Sequence, residues 1–532
     1  MAKTLTGSQI ARAALVVLFG FLASGILGLV RTAAYAAAFG TSPELDAFLA
    51  AQRIPELLFT LVAGGALGSS FIPIFSRLMS TDTDKAWRLA SAALSIVLIL
   101  SAALAIVIAV FAPQIVPSLL VANDPPDMQR LTVSLTQTML ITVVIFSSSG
   151  LLMGILNAQG MFTLSALAAA LYNVGQIVGA LIFVPLIAAA DPANAVYGLA
   201  YGAILGAALH LLIQVPGLSK AGALGRIKFL PDVRVEGVRD VLLLMGPRVL
   251  GLGVVQINFL VNVALTSGMI GGSRTALTMA WTLMFFVLGV IAQSIGTALF
   301  PTLSALAANG DMDGYKQRLS EAIRGVLFLA FPATVGLILL GAPAIRILLE
   351  YGRWDESSTA ATAWALALYA IGIAGHSLLE VLSRAFYALA DTWTPVLIGI
   401  VSIVANVILS LLLIRVIGDP TSLQNGTFGG IALANSVATL IEGAALWMIL
   451  SRRVGGIRDG VILRGVIRSI GAAIGMGAAI SLMLMLLRDS SALVIAAVSA
   501  GIGGIVYFGL AFLFGINEAR TIPQVILRRL RR

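Results

Sequence analysis

The residues that can do chemistry in this chain are four ionisable side chains inside or beside long apolar stretches near its start. Arg31 closes the segment Leu27-Gly-Leu-Val-Arg31, and Asp46, Arg53 and Glu56 follow it. A charge in apolar surroundings is costly unless it is paired or faces water, so it indicates function by default. Arginine presents a planar fork of N–H donors that fits phosphate. Together these residues predict a binding site for an anionic substrate.

Each of these charges also has a plainer interpretation. Arg53 and Glu56 are three residues apart, so on a helix they can pair with each other. Arg31 can pair with Asp46 or with a backbone carbonyl. The binding interpretation and the structural one therefore stay open at this point.

Helix-breaking residues surround these charges. Pro55 interrupts the second apolar stretch, and a broken helix with charges beside the break is typical of the central site of a transporter. Gly25 and Gly28 allow the first helix to bend near Arg31. We therefore expect these three residues to line or gate a cavity.

A second polar stripe lies in the other half of the chain. His376, Glu380 and Arg384 recur every four residues, which places them on one face of a helix. Glu380 and Arg384 either form an internal ion pair or, like Asn258 and Thr282, belong to a cavity or gate.

The sequence predicts no enzyme, no cofactor and no resident metal. It has no Cys and only two His, too few for a thiolate or imidazole metal cluster. It also lacks a Walker motif, an HExxH motif and a plausible Ser-His-Asp set.

Membrane-spanning helices must position these side chains. The 532 residues are 59% hydrophobic and 11% charged, whereas a soluble domain has about 45–50% and about 25%. A spanning helix needs about 20 largely apolar residues. We therefore predict an all-α polytopic membrane protein with 14 transmembrane helices, at 10–39, 54–78, 86–112, 131–157, 161–185, 195–215, 238–266, 275–307, 322–343, 359–389, 394–416, 428–450, 461–487 and 491–515.

The basic residues fix a predicted orientation. With a cytoplasmic N-terminus, 24 of the 33 Lys and Arg residues fall on the cytoplasmic side, six on the other side and three in or beside spans. This strong positive-inside bias places both termini in the cytoplasm. It also accounts for the net charge of +9, because basic loops face an anionic leaflet and need no nucleic acid.

An internal repeat divides the chain. The segment at 68–78 resembles 296–306, and 157–162 resembles 387–392, at offsets of 228 and 230 residues. Six helices per repeat give both halves one orientation, so they form two parallel six-helix lobes plus two C-terminal helices, a transporter arrangement. The predicted regions are an N-terminal lobe at 1–216, a basic cytoplasmic loop at 217–237, a C-terminal lobe at 238–452, the last two helices at 453–516 and a basic cytoplasmic tail at 517–532.

With these motifs in place, the whole chain resembles the MurJ/MviN family of lipid II flippases, within the multidrug/oligosaccharidyl-lipid/polysaccharide exporter superfamily. The matching stretches are Leu27-Gly-Leu-Val-Arg31, Phe39-Gly40, Asp46-Ala-Phe48, Phe71-Ile-Pro73, Leu156-Asn-Ala158, Met245-Gly-Pro247, Gln256-Ile-Asn258, Tyr351-Gly-Arg-Trp354, Arg384-Ala-Phe-Tyr-Ala388 and Asp391-Thr-Trp-Thr-Pro395.

The resemblance implies a flippase of the bacterial inner membrane that moves the lipid-linked peptidoglycan precursor to the outer leaflet by alternating access. It also implies a cationic cavity, a groove for the polyprenyl tail along the last two helices, and cell-wall synthesis proteins as possible partners. On this basis we expect Arg31, Asp46, Arg53 and Glu56 to bind the cargo.

Several charges of the family cavity are missing. The family's first arginine of helix one falls at Gly25 here. Its second arginine matches Arg31, and the acid that follows that arginine in the family falls at Thr32. Family charges in helices two and eight fall at Phe59, Gly64 and about Thr282. An alternative is therefore a related exporter of another polyprenyl-linked saccharide or of a small drug-like cargo. An aromatic cavity around Trp281, Phe285 and Phe286 would favour this alternative. A third possibility is a membrane scaffold that transports nothing.

Some members of the family resemble sodium-coupled carriers. The corresponding positions here look like Asn262, Asn406, Ser410 and Asn435. They offer neutral oxygens and no carboxylate, whereas a hard cation prefers charged oxygen ligands. This donor set disfavours sodium coupling.

Overall fold

The structure is a computed structural model that describes residues 7–62 and 65–520, with side chains except at 7–22, 65–69, 246–252, 254 and 255. Every regular element in the described ranges is helical. By packing, the chain forms two compact units: residues 1–274 with 351–353, and residues 275–350 with 354–532. The predicted lobes follow the sequence repeat instead, so their boundaries stay a prediction.

Twelve helices begin and end in the described part of the first unit. They are α1 (Gly7–Phe39), α2 (Pro43–Ala51), α3 (Arg53–Val62), α4 (Gly65–Thr81), α5 (Thr83–Leu119), α6 (Pro126–Met139), α7 (Ile141–Ala158), α8 (Phe162–Val178), α9 (Val184–Ala190), α10 (Tyr197–Leu212), α11 (Val215–Lys220) and α12 (Val238–Leu265). A π-helical turn at Gly179–Phe183 joins α8 to α9.

The second unit contains the remaining helices of the described chain. They are α13 (Ser273–Leu288), whose first two residues belong to the first unit, α14 (Ser294–Ala308), α15 (Met312–Leu349), α16 (Glu356–Ala370), α17 (Ile373–Ala388), α18 (Trp393–Leu413), α19 (Gly429–Val454), α20 (Asp459–Leu486) and α21 (Ala492–Leu513). The last two helices pack on each other and on α15.

The helices confirm an all-α polytopic membrane protein. Among the described residues, ten helical segments are long and apolar enough to cross a membrane, or eleven if α16 and α17, bent by 48°, count as one span. Two shorter apolar helices, Ala23–Phe39 and Gln256–Leu265, lie within the predicted first and seventh spans. Every predicted span thus overlaps a described helix. The positions of these helices are consistent with fourteen spans, and the total itself stays a prediction.

The helix break near Pro55 lies just before the second predicted span, and Pro55 itself lies inside a helix. Pro55 lies in the first turn of α3, and α2 ends at Ala51, four residues earlier. Proline cannot donate a hydrogen bond to the carbonyl four residues before it, and its ring crowds that carbonyl. The break therefore falls at Gln52, beside Arg53.

Glycines let α8 and α10 pack backbone to backbone. A Cβ atom added at Gly175 would lie 2.2 Å from the nitrogen of Gly206, and one added at Gly202 would lie 2.5 Å from the Cα of Gly179. Small residues spaced four apart allow this close approach between helices in a membrane. The packing fixes α8, the helix that carries Gln176.

A buried charge cluster fastens the loop between α12 and α13 to Asp46 on α2 and to Asp124 in the loop before α6. Gly272 donates its N–H to the Oδ2 of Asp46 at 2.7 Å. The Arg274 guanidinium, 5% exposed, pairs with Asp124 at 3.3 Å and donates to the backbone oxygen of Asp46 and the hydroxyl of Thr266. The first unit therefore extends to the start of α13.

Removing one partner of this cluster should destabilise the protein. Asp124→Ala leaves the Arg274 charge buried without its carboxylate, and such a loss costs about 3 kcal/mol. Equilibrium unfolding of the purified protein in detergent micelles measures the change in free energy. Arg318→Ala is the control, because it breaks an exposed pair with Glu321 and should cost less than about 1 kcal/mol. Equal losses in the two variants would contradict this role for Arg274.

Candidate functional site

Arg31 and Arg53 lie at similar depths along neighbouring helices. Arg31 precedes the end of α1 at Phe39 by eight residues, and Arg53 follows the start of α2 at Pro43 by ten. At about 1.5 Å of rise per residue, the two positions lie about 12 Å and 15 Å along their helices from the loop at 40–42. Arg31 therefore lies well inside the first predicted span, and Arg53 lies at a similar distance from that loop, one residue before the second predicted span begins.

Arg31 is held by an aromatic ring and not by an acid. Within the part of the chain that the structure describes, it has no ion-pair partner, and its buried Nε has no hydrogen-bond partner. Its guanidinium carbon lies 5.9 Å from the centre of the Tyr35 ring. A ring face attracts a cation without neutralising it, so Arg31 keeps a free positive charge.

The Tyr35 ring is itself fixed from two sides. Its hydroxyl donates to the Oε1 of Gln176 at 2.8 Å, and its ring packs edge-on against Phe48 at 5.6 Å. Gln176 is 1% exposed and lies on α8. The position of the Arg31 side chain thus depends on contacts from α2 and α8.

Arg53, in contrast, is paired. Its Nη1 donates to the Oε2 of Glu56 at 2.9 Å, which realises the plainer interpretation of this spacing. The side chain of Arg53 is 19% exposed and that of Glu56 is 44% exposed, so the acid is the more accessible partner. The guanidinium carbon of Arg53 also lies 5.3 Å from the centre of the Phe259 ring on α12.

The two arginines share one polar group. Arg31 and Glu56 both act electrostatically on the phenols of Tyr35 and Tyr172, so both lie near this pair of rings. Glu56 joins Arg53 to the same group through their ion pair. We call Arg31, Tyr35, Arg53, Glu56, Tyr172 and Gln176 the arginine site. It holds two cations against one anion, an excess of one positive charge.

A polar chain fixes α3 to α12 beside the arginine site. Gln256 donates to the hydroxyl of Thr60 at 3.1 Å, and Thr60 donates to the backbone oxygen of Glu56 at 2.8 Å. The backbone beneath Glu56 is therefore held while its carboxylate reaches Arg53.

Sequence reasoning missed the aromatic and amide members of the arginine site. A tyrosine one turn after Arg31 resembles ordinary apolar filling, and neither Tyr172 nor Phe259 carries a charge. Gln176 did leave a signal, since a glutamine amide inside an apolar stretch needs a polar partner. That partner, Tyr35, is 141 residues away.

Several other residues predicted to belong to the site have contacts elsewhere in the first unit. Asp46 is buried and binds the loop at 266–274. The carbonyl oxygen of Gly28 accepts a hydrogen bond from the Thr32 hydroxyl at 2.9 Å. The helix α1 runs through Gly25 and Gly28 without interruption. Asn258 is half-buried on α12.

In the second unit, Glu380 and Arg384 form the internal ion pair, at 2.7 Å. Arg384 also donates to the backbone oxygen of Glu380 and to the hydroxyl of Thr297 on α14. Thr282 donates to the backbone oxygen of Thr278 one turn earlier.

An aromatic cluster occupies the middle of the second unit. The Trp281 ring stacks on Phe285 at 5.6 Å and meets Tyr369 and His376 edge-on at 5.4 and 5.7 Å. Phe285 and Phe286 are each about two-fifths exposed. The surroundings of Trp281 are thus largely aromatic.

Three of the four sodium-site candidates make side-chain hydrogen bonds in the described chain. The Ser410 hydroxyl donates to the Oδ1 of Asn406 at 3.1 Å, and Asn435 lies 3.1 Å from the Nε2 of His376. Asn262 lies on α12 of the first unit. Across the described residues, no group of three or more His, Cys, Asp or Glu side chains is placed to hold a metal ion.

Comparison with solved structures supports the transporter fold. A structure titled "Lipid II flippase MurJ, inward closed conformation" matches with a TM-score of 0.76 at 22% identity, over 94% of this chain and 98% of that one. A multidrug resistance MATE family transporter of the MOP superfamily matches with a TM-score of 0.66 at 18% identity, over 81% and 96%. These identities are low, so the likenesses establish the fold alone.

Sequence comparison establishes the family. A family model described as "Lipid II flippase MurJ" matches residues 35–499. The "Probable lipid II flippase MurJ" of Bdellovibrio bacteriovorus is 31% identical over 97% of both chains. The "Lipid II flippase MurJ" of Burkholderia cenocepacia is 31% identical over 83% of this chain and 84% of that protein. With a family match of this length and one relative aligned over 97% of both chains, the chain belongs to the lipid II flippase MurJ family.

Proposed function

We propose that this chain moves lipid II from the inner to the outer leaflet of the bacterial inner membrane, and that the arginine site holds its diphosphate. The observation that supports this role most directly is Arg31, a cation inside a predicted span that has no ion-pair partner among the described residues. Alternating access would carry the cargo through the rocking of the two repeated six-helix lobes.

The charges of the arginine site suit a lipid diphosphate. Such a headgroup carries about two negative charges, and taking each from water without a partner costs several kcal/mol. Arg31 and Arg53 together bring two positive charges. The inside-negative potential assists, since each negative charge moved outward gains about 2.3 kcal/mol per 100 mV.

The same proposal covers orientation, partners and the absence of catalysis. Both termini lie in the cytoplasm, with the basic loops against the anionic inner leaflet. The protein carries out no covalent step, and it works beside the cell-wall synthesis proteins that supply and consume its cargo. Asp46 supports the fold of the first unit through Gly272 and Arg274, and its part in binding the cargo stays a prediction.

Replacing Arg31 should abolish function without removing the protein. In cells depleted of their own MurJ, we expect the wild-type chain to restore growth and Arg31→Ala to fail, because the diphosphate loses its free cation. Arg31→Lys should restore growth only partly, since lysine keeps the charge but loses the planar fork. Colony counts and immunoblots of membrane fractions measure rescue and accumulation.

Arg318→Ala is the matched control, because it removes an exposed arginine paired with Glu321 and should leave rescue intact. Full rescue by Arg31→Ala would contradict the role of Arg31. If the wild-type chain itself fails to rescue and its deletion removes a surface polysaccharide, the cargo is another polyprenyl-linked saccharide.

The orientation can be tested with single cysteines, because the chain has none of its own. We expect Thr421→Cys, in the exposed loop after α18, to react with a membrane-impermeant maleimide in intact cells. Leu224→Cys, in the exposed loop before α12, should react only after permeabilisation. Labelling in the reverse pattern would contradict a cytoplasmic N-terminus.

A further inference from the structure

We propose that Glu56 is an internal competitor of the cargo: it occupies Arg53 while the arginine site is empty, gives way to the diphosphate on loading, and returns to Arg53 to release it. This inference rests on the proposed function and adds an order of events to it. The exchange is between two ion pairs, so no covalent bond changes.

The two arginines differ in what they face when the site is empty. Arg31 rests on the Tyr35 ring and, among the described residues, meets no carboxylate. Arg53 already holds one in Glu56. An arriving anion can therefore engage Arg31 at once, whereas it reaches Arg53 only by displacing Glu56. This difference predicts that Arg31 binds first and Arg53 second.

The Arg53–Glu56 pair has the properties of an exchangeable contact. A single N–H···O bond between Nη1 and Oε2 joins the two side chains, and the Glu56 side chain is 44% exposed. Ion pairs that water can reach are weak. A phosphate group instead offers several oxygens and full bidentate contact with the arginine fork. Once the cargo is bound through Arg31, it can therefore outcompete the carboxylate.

Arg53 does not need Glu56 to stay in place. Its guanidinium lies against the Phe259 ring, 5.3 Å from the ring centre, and this contact does not involve Glu56. The backbone of Glu56 is held as well, because its N–H donates to Gln52 and its carbonyl accepts from Thr60. Only the flexible side chain of Glu56 has to move, which leaves the helix and the cation where they were.

The exchange would also speed release of the diphosphate from the arginine site. Two unopposed arginines deep in a membrane protein would hold a diphosphate tightly and let it go slowly. The Glu56 carboxylate lies one helical turn from Arg53, so it can re-form the ion pair and displace the diphosphate. Glu56 thus lowers affinity for the cargo and hastens its departure.

The test is the effect of Glu56→Gln on binding and on transport. We measure binding of farnesyl diphosphate, a polyprenyl diphosphate without sugar or peptide, to the purified full chain in lipid nanodiscs. Glu56→Gln should bind it about fivefold more tightly, a gain that corresponds to about 1 kcal/mol. The same variant should restore growth of MurJ-depleted cells less well than wild type, because release is slowed.

Three further variants exclude trivial explanations. Glu321→Gln breaks another Arg–Glu pair of the same spacing, at the exposed Arg318, and should leave binding unchanged. In an Arg53→Ala background, Glu56→Gln should lose most of its effect. Glu56→Asp keeps a shorter carboxylate that reaches Arg53 less well, and it should tighten binding about twofold if the glutamine variant fails to fold.

The outcomes separate the two proposals. Unchanged or weaker binding by a folded Glu56→Gln protein would overturn the exchange, as would a gain that persists without Arg53. Wild-type protein that binds no farnesyl diphosphate would overturn it as well. Binding and exchange in a chain that cannot replace MurJ would instead overturn the proposed cargo and leave the exchange standing.

Discussion

The arginine site depends on a guanidinium that is held by a ring face and not by a carboxylate. Arginine stays protonated at any physiological pH, so burial cannot make it neutral, and it must be compensated or solvated. Tyr35, fixed by its hydrogen bond to Gln176, gives Arg31 an attractive surface and leaves its charge free. Contacts from α2 and α8 hold the Tyr35 ring and the Gln176 amide where the contact with Arg31 can form.

The missing family charges fit this arrangement. Thr32 stands where the family often has an acid, and its hydroxyl donates to the backbone of Gly28 in the same helix. No carboxylate from that position competes for Arg31. The cationic character of the arginine site comes from two arginines, and Glu56 is the acid that balances Arg53.

Close backbone packing and a buried ion cluster support the arginine site from outside it. Glycines between α8 and α10 bring the two helices together and set the position of Gln176. Arg274 fastens the loop before α13 to Asp46 and Asp124. Asp46 is a charge in an apolar stretch, as Arg31 is, and yet it fastens a loop. Sequence alone cannot separate these two roles, because burial makes both kinds of charge equally costly.

The sequence by itself determined the long apolar helices, and it placed Pro55 and the Arg53–Glu56 spacing close to the helix break. These follow from local composition and helical spacing, which act over a few residues. Only the tertiary structure decided what faces Arg31. Tyr35 is fixed by a glutamine 141 residues away, and Phe259 reaches Arg53 from another helix. No local pattern encodes such contacts, because they exist only after distant helices have packed together.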